Sequence, residues 1–149
     1  MRETDPGYLP PKVMPSPILS ASAGLLAAVM MVIAIVILLR GHNAPGGGFI
    51  GGLVACGAYV VVAFAFGAKR SLKLLGIHPV TMAGVGLVLA VLSGLPSLGL
   101  GIPFLTHLWG DVPTELGVLK LGTTYLFDIG VFLVVVGSFT AFFFMFEEN

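Results

Sequence analysis

Ile18-Leu-Ser-Ala-Ser-Ala-Gly-Leu-Leu-Ala-Ala-Val-Met-Met-Val-Ile-Ala-Ile-Val-Ile-Leu-Leu39 is a run of 22 residues without a charge, and Arg40-Gly-His-Asn-Ala-Pro-Gly-Gly-Gly48 follows it at once. At roughly 1.5 Å of rise per residue, a helix of that length crosses a hydrocarbon core of about 30 Å. The small residues Ser20 to Gly24 precede the bulky stretch. That is the wrong order for a cleaved signal peptide, so the run is expected to remain as a transmembrane helix. The charge, the proline and the glycines behind it end the helix and turn the chain.

The rest of the chain repeats the pattern. Of its 149 residues 57% are apolar and only 9% charged, and the mean hydropathy is +1.07, far from the balance of a water-soluble domain. Lipid offers no partner to a backbone N–H or C=O, so spanning segments must be helices or a closed barrel; the apolar runs here are long rather than alternating, which selects helices. Further spans are expected over Phe49 to Ala68, Val80 to Leu98 and Thr124 to Phe146. Pro79 suits the first turn of the third, and Pro96 should fray its far end. The fold class is therefore an all-α membrane protein with four transmembrane helices and a long loop between helices three and four. Residues 1–17, with Pro6, Pro10, Pro11, Pro15 and Pro17, form a proline-rich N-terminal arm, and residues 18–149 form the transmembrane domain. Gly99 to Gly122 carries Pro103, Trp109, Asp111, Pro113, Glu115 and Lys120. It is too polar to cross lipid and reads as an interfacial loop with room for a short hairpin.

An even number of spans puts the N-terminal arm, the second loop and the C-terminus on one side. That side holds Arg2, Lys12, Lys69, Arg70 and Lys73, against Arg40 and Lys120 opposite. By the positive-inside rule both termini are expected in the cytoplasm. A net charge of zero leaves no footprint for nucleic acid. Cys56 is the only cysteine, so it forms no internal disulfide, and its place inside an apolar run suits helix packing.

Gly46-x-Gly48-x-x-Gly51 matches a dinucleotide fingerprint in spacing alone, because a transmembrane helix rather than a strand precedes it and no Lys-Ser or Lys-Thr follows. The glycines have a better use in the second helix. Gly47, Gly51 and Ala55 lie on one stripe and Gly48, Gly52 and Cys56 on the next, a surface that admits close helix approach. Gly86, Ala90 and Gly94, then Gly130, Val134 and Ser138, repeat the device more weakly. Packing within this bundle and docking onto a partner's helix both fit the stripes.

Asp128 is the one acidic residue within an apolar span. A carboxylate in lipid costs on the order of 2.5 kcal/mol or more, so such a residue faces protein or water and often functions, unless it sits wet near a helix N-terminus where the macrodipole favours it. The end of helix one and the start of helix four open on the same membrane side. Arg40, His42 and Asp128 can therefore meet, and Arg40 is expected to pair with Asp128 directly or through water. His42 fits either a proton relay or a hydrogen-bonding loop residue. His78 and His107 lack the spacing of a metal site, and no nucleophile and base stand together, so neither an enzyme nor a cofactor is indicated.

Two stretches carry a resemblance beyond composition. Arg40-Gly-His-Asn-Ala-Pro-Gly-Gly-Gly-Phe-Ile-Gly-Gly-Leu53, and Thr123-Thr-Tyr-Leu-Phe-Asp-Ile-Gly-Val-Phe-Leu-Val-Val-Val-Gly137 downstream, resemble the B-type small component of the Mrp (Mnh) multisubunit cation/proton antiporters. The likeness runs over most of the chain from helix one to helix four. Related domains occur in energy-converting membrane hydrogenases, so a structural component of such a redox complex is the alternative. The resemblance implies a plasma-membrane complex that exchanges sodium for protons without nucleotide, with larger antiporter-like subunits as partners. By carry-over it marks Arg40, His42, Asn43, Pro45, Gly46, Gly47, Gly48 and Asp128 as the structural and functional core.

Overall fold

The computed structural model describes residues 17–41, 46–114 and 117–147; the first sixteen residues of the expected arm fall outside them. Among the described residues four helical stretches are long and apolar enough to cross a membrane, over Ser20–Arg40, Gly47–Phe66, Ala68–Gly99 and Thr123–Met145.

Helix α1, Pro17–Arg40, starts on a proline whose missing N–H is harmless in a first turn. It is apolar all round, as a lipid-facing helix must be. Its inward surface is made of the smallest side chains: Ala23, Ala27 and Ala34 are buried, while Leu25, Val32 and Val36 point outward. Helix α2 spans Gly47–Phe66 and follows the same rule, burying Gly47, Gly48, Gly51, Gly52, Ala55, Cys56 and Ala58. Because lipid tails are as apolar as leucine, burial of large side chains gains little here, and close backbone approach sets the packing instead.

The third span departs from the expected single helix. It is broken into α3 (Ala68–Leu75), α4 (Pro79–Leu92) and α5 (Leu95–Gly99). Gly67, at φ 89°, turns the chain sharply out of α2, and Gly76 closes α3 in the left-handed region, which glycine adopts without a Cβ penalty. The basic stretch that reads as a loop is thus a helix folded back on α2. Ser71 and Leu75 are buried, the Ser71 hydroxyl donates to the Tyr59 carbonyl at 2.8 Å, and Lys69, Arg70 and Lys73 stay exposed. Arg70 lies over the Phe66 ring, 4.8 Å from its centroid. Pro79 occupies the first turn of α4, as expected, and Pro96 that of α5.

Residues 109–114 and 117–122 pair as an antiparallel hairpin, β1 (Trp109–Thr114) and β2 (Gly117–Gly122), with Trp109 opposite Gly122 and Thr114 opposite Gly117. Among the described residues of the expected loop, the irregular part runs from residue 100 to 108. There Leu105 takes a positive φ of 65°, and the Phe104 ring covers Gly94. The hairpin runs straight into α6, Thr123–Glu147. Leu108 and Thr123 bind reciprocally: the Thr123 N–H donates to the Leu108 carbonyl at 3.0 Å, and the Leu108 N–H donates to the Thr123 hydroxyl at 3.1 Å.

In cross-section the order is α1, α2, α6, α4. Gly51 of α2 lies against Ala34 and Leu38 of α1, and Gly57 against Met30, so those two helices are antiparallel. Gly48 meets Asp128 and Phe132, and Gly52 meets Phe132 and Val135. These positions advance together, so α2 and α6 run parallel. On the other side of α6, Gly130 lies against Gly86 and Ala90, and Gly137 against Pro79 and Ala83, an antiparallel contact. The core of Ala34, Ala55, Leu75, Met82 and Val136 fills the centre. The small-residue stripes at 47/51/55, 48/52/56 and 86/90 with 130 are thus spent on packing within the chain.

Candidate functional site

The site begins with Asp128, in the second turn of α6 and half-buried. The carboxylate lies over the N-terminus of α2. A Cβ added to Gly47 would stand 3.2 Å from Asp128 Oδ1 and 3.5 Å from Oδ2, and one added to Gly48 would collide with the Asp128 carbonyl. Gly47 also holds a φ of +72°. Hydrogen at its α-carbon therefore serves twice, allowing the backbone conformation and leaving room for the carboxylate. The first N–H groups of a helix have no partner inside it, and the N-cap here, Gly46, has no side chain to supply one. A carboxylate from the neighbouring helix stands where the partial positive charge of α2 is concentrated.

The end of α1 completes the arrangement. A Cβ on Gly41 would overlap the Gly47 α-carbon, and one on Gly46 would press on Ile37 at 2.9 Å. Glycine thus touches glycine where α1 stops and α2 starts. Arg40, the last residue of α1, is exposed at this end of the bundle. Among the described residues no ion pair within 4.0 Å joins Arg40 to Asp128. His42, Asn43 and Pro45 lie outside the described residues.

One functional group here escaped sequence reading. The Thr124 hydroxyl is buried and has no hydrogen-bond partner, and Thr124 lies one helical turn before Asp128, on the same face of α6. Its signal was the i, i+4 spacing to the lone acid. Further along α6, between it and α2, the Thr140 hydroxyl reaches the Cys56 sulfur at 3.9 Å. Gly51 and Gly52 line the α1 and α6 contacts of α2, and Gly130 lines the α4 contact of α6. Among the described residues no three His, Cys, Asp or Glu side chains gather as metal ligands would. His78 is exposed at the start of α4, and the His107 ring packs 6.1 Å from that of Phe127.

Chemically, the site offers one carboxylate where α1, α2 and α6 meet and, one turn before it on α6, one buried hydroxyl. Such a pair can accept hydrogen bonds from water, hold a proton, or contribute oxygen atoms to a small cation.

Comparison with known proteins agrees on one family. A model of a domain related to the MnhB subunit of Na+/H+ antiporters matches residues 18–141. The Na+/H+ antiporter B subunit of Bacillus subtilis (strain 168) is 43% identical over 122 residues, covering 80% of this chain and 85% of that protein. A protein of Rhizobium meliloti (strain 1021) named as a probable K+/H+ antiporter A/B subunit is 34% identical over 117 residues, which make up 77% of this chain and only 11% of that one. Among solved structures, a chain of the Mrp complex from Dietzia sp. DQ12-45-1b superposes with a TM-score of 0.72 at 26% identity, covering 95% of this chain and 16% of that chain.

Proposed function

This chain belongs to the family of domains related to the MnhB subunit of Na+/H+ antiporters, and from that premise we propose that it is the small multi-pass subunit of a multisubunit Na+/H+ antiporter of the plasma membrane, with its Asp128 cluster bordering a path for water or ions. The assembly partner is a larger chain of the A type. Support comes from the Rhizobium relative, whose name joins A and B and in which the matching part is 11% of one long chain. The Dietzia chain is likewise far longer than its matching part. The small component itself performs no bond chemistry; exchange draws on ion gradients. The relatives are named as antiporter subunits, which favours this reading over a hydrogenase-type complex.

One observation carries the role of the cluster: the lone intramembrane carboxylate is held over Gly47 at the meeting of α1, α2 and α6, with an unpartnered hydroxyl one turn away. A residue whose burial costs free energy and whose neighbours are glycines that leave room for it is poorly explained as packing. In this reading Arg40 supports the carboxylate through water from the loop side, both termini face the cytoplasm, and His42 and Asn43 belong to the same polar rim. The test is Asp128→Asn and Arg40→Gln in the complete complex, with sodium-dependent proton exchange measured in everted vesicles beside assembly on native gels. Exchange should fall in Asp128→Asn while assembly persists. Unchanged exchange in both assembled variants removes the cluster from the transport path.

A further inference from the structure

The broken third span leaves a groove of about 640 Å³ on the side of the bundle, between the α3–α4 junction and the end of α6. Its walls are of two kinds. Lys73 and His78 supply N–H donors from the junction, and Ile77, Ala141, Phe144 and Met145 supply an apolar floor. Both Lys73 and His78 are exposed.

We propose that this groove holds one anionic phospholipid, its headgroup phosphate bound by the Lys73 ammonium and the His78 imidazole N–H, its acyl chains laid along Ile77, Phe144 and Met145. Charge selects the occupant. Between Gly67 and Pro79 the chain has three cations, Lys69, Arg70 and Lys73, and no acid, and no carboxylate is among the described residues lining the groove. Arg70 is engaged with the Phe66 ring, and α3 points its buried face, Ser71 and Leu75, at the bundle; Lys73 is left to face outward. Its depth matters too. Lys73 shares the groove with the last turns of α6, so its ammonium stands at the edge of the hydrocarbon, where a lysine stem extends its charge toward the headgroup layer. A basic recess between membrane helices that opens sideways onto lipid, with polar groups at one end and aliphatic and aromatic walls at the other, matches a phospholipid in both chemistry and direction. A water-filled cation path would place an ammonium against the cargo, which argues against that use.

The test uses the whole complex, purified and exchanged into nanodiscs of phosphatidylglycerol and phosphatidylethanolamine, with retained lipid counted by native mass spectrometry after mild delipidation. Lys73→Gln should weaken binding of the one tightly held phosphatidylglycerol per copy of this chain by roughly fivefold, the effect expected for one interfacial cation. The double variant Lys73→Gln/His78→Gln should lower it further, Lys73→Arg should restore it, and phosphatidylethanolamine should not change. Both side chains are exposed, so assembly on native gels serves as the control for folding. Equal retention of phosphatidylglycerol in the double variant, or parallel loss of both lipids, overturns the proposal. So does photocrosslinking from position 77 to a neighbouring protein instead of to lipid, which would make the occupant a polypeptide.

Discussion

Replacing Gly130 by alanine tests the packing of the whole bundle at one point. The added methyl would lie 2.7 Å from the Ala90 nitrogen, 2.7 Å from the Gly86 oxygen and 3.0 Å from the Ala90 α-carbon. All three are backbone atoms, so no flexible side chain can step aside. Ordinary contact begins at 3.4 Å, which requires a separation of 3.4 − 2.7 = 0.7 Å between α4 and α6. Retreat of α6 is blocked, because its other face already meets Gly48 and Gly52 of α2 in backbone contact. The displacement therefore falls on α4, and overpacking of this kind costs about 1–3 kcal/mol. Gly84→Ala is the matched control: it lies in the same helix as Gly86, and nothing stands within 4 Å of its added Cβ, so it should be neutral or stabilising by up to about 1 kcal/mol through helix propensity. Thermal unfolding of the purified complex, followed by intrinsic fluorescence alongside retention of the chain on native gels, separates the two. If Gly130→Ala is as stable as Gly84→Ala, the α4–α6 contact is not the close backbone crossing described above.

Gly47→Ala should destabilise the start of α2 by about 1–2 kcal/mol, the penalty for a side chain in the left-handed region, with Gly47→Asn milder and Gly47→Val worse; equal stability of all three in the same unfolding assay would contradict the positive φ. Ser71→Ala removes a buried hydrogen bond to the Tyr59 carbonyl and should cost about 0.5–1.5 kcal/mol. The loss should appear as faster hydrogen exchange confined to residues 68–75, and an unaltered exchange profile would show that α3 is held by other contacts.

The apolar spans were legible because long uncharged runs in lipid admit one solution, and α1, α2 and α6 lie close to where those runs predicted them. The glycine stripes were legible as stripes through their spacing of four. Which neighbour each stripe met was not, since in-chain packing and docking on a partner ask for the same small residues; only the crossings of Gly51 on Ala34 and Gly86 on Gly130 decide it. The fold-back of α3 was missed because Lys69, Arg70 and Lys73 resemble the polar residues of a connecting loop. Its helical period, with Ser71 and Leu75 turned inward, lasts only two turns and is a weak signal at that length. Asp128 stood out as a charge among apolar residues, whereas Thr124 beside it did not, because a hydroxyl in a membrane helix usually satisfies itself on its own backbone.

The paired bonds between Leu108 and Thr123 close the base of the hairpin on the first residue of α6. Thr123 is both the first residue of the helix and the anchor of the segment that precedes the hairpin, and Asp128 follows five residues later along a rigid rod. The backbone path from the hairpin to the carboxylate is therefore five helical residues long, with no glycine between Thr123 and Asp128 to serve as a hinge.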